Sequence, residues 1–277
     1  MIVPCGLGPV SSVCGLVSDG VRYSGKHFRY TMRQSMQHET RQPRSSNENH
    51  PHWNSRAPKG ADVAMGFVAL VMGLLATVAI SSVLFILVPD DVGVNAVVSQ
   101  TAGTLVMGVV LWCWLYARRW GMSDLGFNKL GVKGWHLLWE VPVMFLVSFV
   151  VVAGVRLAVP IEDAPDTASD IAGSPPLWIF LALTIYVLAG PFVEEIIFRR
   201  LLMGWLDYKV GVVASTILSC SIFALCHFNP ASVLWVGVMS VFVALSVRWH
   251  NSLWAGYVLH AVNNAVAYFV LVVALLS

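Results

Sequence analysis

The sequence predicts an all-α protein, a polytopic transmembrane bundle of about seven spans, and three observations predict it. Of 277 residues, 57% are hydrophobic and 12% charged, where soluble domains run at about 45–50% and about 25%. Apolar stretches near the 20 residues needed to cross a bilayer recur along the chain. Between them the sign of the loop charge alternates. This composition excludes a disordered chain and a basic nucleic-acid-binding surface, so no nucleic-acid partner is expected.

Residues 1–60 carry 8 Lys/Arg against 3 Asp/Glu and no sustained apolar period, and read as a flexible basic tail. The first charged residue is Asp19, so no positively charged start precedes an apolar core and a secretory signal is not expected. Residues 61–277 form the transmembrane domain. Its spans are roughly 64–88, 94–117, 135–159, 177–203, 210–228, 231–247 and 253–275, with a tight turn at Asn229-Pro230 between the short fifth and sixth.

Arg118, Arg119, Lys129 and Lys133 follow the second span, Arg199, Arg200 and Lys209 the fourth, and Arg248 the sixth. Asp90 and Asp91 follow the first, and Glu162, Asp163, Asp166 and Asp170 the third. Basic loops stay inside, so the N-terminus is expected in the cytoplasm of a bacterial-type cell. No repeat of transporter type is visible. The five cysteines are odd in number and form no CxxC pair, which argues against disulfides; Cys113, Cys220 and Cys226 read as small packed hydrophobes. Trp112, Trp114, Trp120, Trp135, Trp139 and Trp178 read as an interfacial belt. Gly103 and Gly108 read as close helix contacts, and His136 with Glu140 as an i,i+4 hydrogen-bonded pair.

The informative residues are the polar ones inside spans, where a charge costs about 2.5–3.5 kcal/mol. The fourth span contains Pro191-Phe192-Val193-Glu194-Glu195-Ile196-Ile197-Phe198-Arg199. Glu195 and Arg199 are i,i+4 in the order that favours an ion pair. Glu194 points about 100° away and is left over for chemistry. Pro191 removes a helix hydrogen bond, and such a break is tolerated in a membrane beside protein or a water-filled cavity. The fifth span ends with Phe223 and His227, four apart, so the ring can wall the imidazole. In the seventh, His260 and Asn264 share a face and Asn263 falls just off it.

A carboxylate and a histidine can deprotonate a water, while a second histidine and an amide donate to an oxyanion. Equally, Glu194, His227 and His260 make a two-His, one-carboxylate set of the kind that binds Zn²⁺. HExxH and GxSxG are both absent. A proton-coupled transporter would need a second midplane acid, and only Glu195 is on offer. By simple rise, Glu194 lies about 25 Å from the outer start of its span and His227 about 25 Å from the inner start of its own. These depths coincide only if the Pro191 break and a tilted, sunken fifth helix bring the residues together.

The motifs Glu194-Glu195-x-x-x-Arg199, Phe223-x-x-x-His227 and His260-x-x-x-Asn264, in order on three apolar segments, resemble those of the CPBP intramembrane proteases. These are also called the CAAX-protease or Abi family and include the Rce1-like prenyl-protein endopeptidases. The resemblance spans about residues 120–275. It implies a helix bundle around a water-accessible cavity and hydrolysis of a peptide bond in a membrane-associated protein or peptide. Glu194 and His227 would activate water, His260 and Asn264 would stabilise the oxyanion, and Glu195, Arg199 and Phe223 would support them. It leaves open a metalloprotease or a metal-free glutamate mechanism. It also admits a non-proteolytic bacteriocin self-immunity or scaffold role.

Overall fold

The computed structural model describes residues 56–89, 91–159, 161 and 175–276, with side chains as far as Phe269. The basic tail as far as residue 55, and Asp90, Glu162, Asp163, Asp166 and Asp170, lie outside the described residues. Seven helices make up the described chain: α1 (Gly60–Leu87), α2 (Val92–Ala117), α3 (Leu137–Ala158), α4 (Pro176–Val210), α5 (Val212–Leu225), α6 (Pro230–His250) and α7 (Leu253–Leu276). No strand occurs among the described residues. Among the described residues, five helices are long and apolar enough to cross a membrane: α1, α2, α3 with the tight turn before it, α4 and α6. The fold is an all-α bundle, and the chain is an integral membrane protein.

Short polar side chains start two of the helices. Asp91 accepts the Val94 amide at the head of α2, and Asn229 accepts those of Ala231 and Ser232 at the head of α6. Pro230 occupies the first turn there, where a missing N–H costs nothing. Between α4 and α5 stands Gly211 at φ +80°, a conformation that a side chain would strain.

The fourth and fifth spans depart from their sequence boundaries. Helix α4 does not stop at 203 but runs on to Val210, 35 residues in all. Helix α5 keeps only Val212–Leu225, 14 residues, about 21 Å at 1.5 Å each and short of a hydrocarbon core of about 30 Å. Pro191 does not break α4 either. Two wide turns, Thr184–Ala189 and Ile196–Met203, bracket it and keep the helix continuous. Such one-turn widenings accommodate local misfits and cluster at functional sites.

The core surrounds the second wide turn, where Ile196 through Met203 are all buried. Helix α1 is peripheral, with Val71, Leu75, Phe85 and Ile86 exposed on its outer side, as suits a surface solvated by lipid. It packs on α2 through facing glycines. A Cβ on Gly103 would collide with Thr77 Oγ1 and lie 2.7 Å from the Gly73 carbonyl oxygen. One on Gly108 would meet only Val193, at 3.7 Å. Gly103→Ala is therefore expected to lower stability by about 1–3 kcal/mol through overpacking, and Gly108→Ala to leave it unchanged. Thermal unfolding of both variants in detergent checks the pair, and equal midpoints would contradict it.

Ion pairs and stacked cations brace the end where α1, α5 and α7 begin and α2, α4 and α6 finish. Asp207 holds Arg248 through both carboxylate oxygens, at 2.8 and 3.2 Å. Glu140 does not bond His136. It reaches across to His250, at 2.8 Å, and accepts from Ser246, at 2.6 Å. His136 precedes α3, in a tighter turn where the i,i+4 geometry does not apply, and accepts instead from the Trp249 indole. Two of the expected belt tryptophans are structural. Trp114 donates to Asp62 at 3.0 Å, and Trp120 lies between the guanidinium groups of Arg56 and Arg200, at 4.8 and 4.9 Å.

Candidate active site

Helices α4 and α5 are a hairpin about Gly211. Glu194 lies 17 residues before that glycine and His227 16 after it, so an antiparallel pair brings them to one level. The mismatch in depth came from ending α4 at 203. The last two turns of α4 carry the hairpin lower, and the short α5 climbs back to Glu194.

There a cavity of about 630 Å³ opens, lined by Glu194, His227, His260 and Asn264 among others. The adjacent carboxylates take different positions. Glu195 is fully buried, with one oxygen 3.0 Å from His260 Nδ1 and the other 3.5 Å from Arg199 Nε. Glu194 keeps 27% side-chain exposure and stands 3.6 Å from His260 Nε2.

Hydrogen-bond logic assigns protons. His227 Nδ1 lies 3.1 Å from the Phe223 carbonyl oxygen. A carbonyl only accepts, so Nδ1 carries the proton and Nε2 of the neutral ring is a free base. His260 Nδ1 donates to the Glu195 carboxylate by the same argument. Its Nε2 then faces Glu194, bare in the neutral ring and a donor in the imidazolium. Phe223 walls both histidines, edge-to-face at 5.1 and 5.5 Å, and carries the Arg199 guanidinium over its ring at 4.5 Å. Arg199, fully buried, also donates to the Ser240 carbonyl. A buried cation is tolerable when paired in this way.

Asn264 donates through Nδ2 to the Tyr186 carbonyl, at 2.8 Å. Its Oδ1 accepts from Asn263 at 3.1 Å, whose own Oδ1 accepts from the Trp235 indole at 3.0 Å. Asn263, set aside by helical spacing, is thus 5% exposed and part of the same network. Trp235 and Tyr186 also line the cavity and had no sequence signal beyond being aromatic residues in spans. Cys226 does not pack inside: it is exposed and lines the cavity beside His227, and Cys113 is exposed as well. Cys220 is buried.

Among the described residues no three His, Cys, Asp or Glu side chains form a metal-ligating group. What the arrangement offers is a carboxylate and a free imidazole nitrogen on one cavity, with an oriented amide and a second histidine on its wall.

Comparison with known proteins bears out the motif resemblance. Residues 176–266 match the family described as type II CAAX prenyl endopeptidase, Rce1-like. The match is narrower than residues 120–275, beginning at the first residue of α4 and ending within α7, and it contains every candidate residue. No curated protein and no solved structure matches the chain.

Proposed function

We propose that this protein is an intramembrane endopeptidase that hydrolyses a peptide bond in a membrane-associated protein or peptide, with its N-terminus in the cytoplasm. The matched family is one of proteases. The observation that carries the reading is the free Nε2 of His227 on the same cavity as the partly exposed Glu194 carboxylate.

Glu194 and His227 hold a water between them, and one takes its proton as the oxygen attacks the carbonyl carbon. The Asn264 amide donates to the oxyanion that forms, and so does His260 Nε2 when the ring is the imidazolium. Collapse of the tetrahedral intermediate expels the amine, which receives the proton held by Glu194 or His227. Glu195 fixes the His260 ring through Nδ1, and Arg199 stands against the other Glu195 oxygen. A free imidazole nitrogen and a carboxylate on one cavity favour this reading over a non-proteolytic immunity or scaffold role.

The test needs no prior substrate. Termini of membrane proteins are compared by mass spectrometry in cells carrying the wild type or Glu194→Gln at equal expression. Termini found with the wild type alone are the expected result and name the substrates. Identical termini in the two cell lines would sink the reading.

A further inference from the structure

The first wide turn of α4 has a hydrogen-bond register of its own. There the Gly190 amide bonds the carbonyl of Ile185, five residues back. The next amide in that register would serve Tyr186 and belongs to residue 191, which is proline and has no N–H. The helix thus leaves the Tyr186 carbonyl without a backbone donor in that register, and the side chain that fills it is Asn264.

The chain of bonds through Asn264 runs one way. An indole N–H can only donate, so Asn263 must turn its oxygen to Trp235 and its nitrogen to Asn264. A carbonyl can only accept, so Asn264 must turn its nitrogen to Tyr186. The two ends agree, and together they admit one orientation of both amides. An amide carries two N–H bonds. With one spent on Tyr186 and the oxygen spent on Asn263, the second N–H of Asn264 is held in place on the cavity wall.

We propose that Pro191, Asn263 and Trp235 are positioning residues: they set the amide of Asn264 donor-first toward the cavity, where it meets the oxyanion. This rests on the hydrolase reading above and adds three residues that the motif pattern omits. It gives Pro191 a specific purpose, which is to free one carbonyl as the anchor of that amide.

The decisive variant is Asn263→Asp. It keeps the shape and still accepts from Trp235, but presents a second oxygen to Asn264 in place of a donor. Asn264 must then turn its nitrogen toward Asp, with its oxygen left against the Tyr186 carbonyl. Removing one oxyanion donor costs about 10²–10³-fold in turnover, and Asn263→Asp is expected to approach that loss with KM little changed. Pro191→Ala restores an N–H that competes for Tyr186 and is expected to lose turnover in the same way, to a smaller extent.

The readout is the rate of cleavage at a terminus identified with the wild type, measured on purified protein, with folding checked by thermal midpoint. A positioning residue acts through its partner, so Asn263→Asp is expected to cost nothing further when Asn264 is already alanine. A wild-type rate for Asn263→Asp, or a full further loss on the Asn264→Ala background, would overturn the proposal. Hydrogen exchange of the Trp235 indole, assigned by its absence in Trp235→Phe, tests the network without substrate. Slow exchange that becomes fast in Asn263→Ala is expected, and fast exchange in the wild type would refute the chain of bonds. If Glu194→Gln left all termini unchanged while the exchange result held, the hydrolase reading would fall and the hydrogen-bond network would stand.

Discussion

His227→Ala is expected to slow peptide cleavage by about 10²–10⁴-fold and to leave the thermal midpoint of the purified protein where it was. His260→Ala is expected to lower both. The two histidines look equivalent in a motif and are not equivalent in place. His227 is half-buried at the end of α5, and its one hydrogen bond goes to a carbonyl of its own helix. Truncating it breaks no hydrogen bond to another helix. His260 is 2% exposed and donates to the fully buried Glu195. Truncating it leaves a carboxylate in the core with Arg199 alone, and a buried polar group that loses a partner costs about 1–3 kcal/mol, more when charged. Unfolding in detergent and the cleavage rate of an identified substrate measure the split. Equal destabilisation by the two variants, or wild-type cleavage by His227→Ala, would refute it.

Arg199→Ala is expected to cost about 3–5 kcal/mol, the range for breaking a buried pair by deleting one partner. Glu195 and Arg199 are both 0% exposed. The arginine also rests on the Phe223 ring and reaches the Ser240 carbonyl on α6, so its loss loosens the contact of three helices. Lysine is a poor substitute, since a compact ammonium neither stacks on that ring nor bonds in two directions in one plane. Replacing both partners, as Glu195→Gln with Arg199→Met, is expected to be less damaging than Arg199→Ala, because no uncompensated charge remains. Denaturation midpoints of the single and double variants measure this, and a double variant less stable than Arg199→Ala would contradict it.

The helices were largely legible in the sequence because a bilayer demands long uninterrupted apolar runs, and such runs leave a local record. The end of α4 was not. Residues Gly204–Val210 include Asp207 and Lys209, and a hydropathy reading stops before them. The structure continues because Asp207 is paired with Arg248 from α6, 41 residues away, a partner no local window contains. The same holds for Glu140, whose partner His250 lies 110 residues on while His136 sits at a tempting spacing. At the site, the residue types of the three motifs could be read, and so could the division between Glu194 and Glu195, since both follow from spacing on a helix. The bonding of Asn263 could not, because helical spacing assumes a regular turn and ignores what faces it from α6. The wide turns were equally hidden. Pro191 announced a misfit but not which carbonyl it would free.

The brevity of α5 has a consequence for the bilayer itself. A helix of about 21 Å beside neighbours that span about 30 Å leaves a dent about 9 Å deep on one side of the bundle. Lipid tails cannot fill a polar-edged notch without bending away, so the leaflet there thins and headgroups with their water descend. Solvent is then expected to reach the end of α5, where His227 stands, through a local sag of the membrane. For the hydrolase proposed above, the supply of the attacking water is then expected to depend partly on the lipids. Longer acyl chains deepen the dent that must be wetted, and shorter ones bring the aqueous edge to the level of His227.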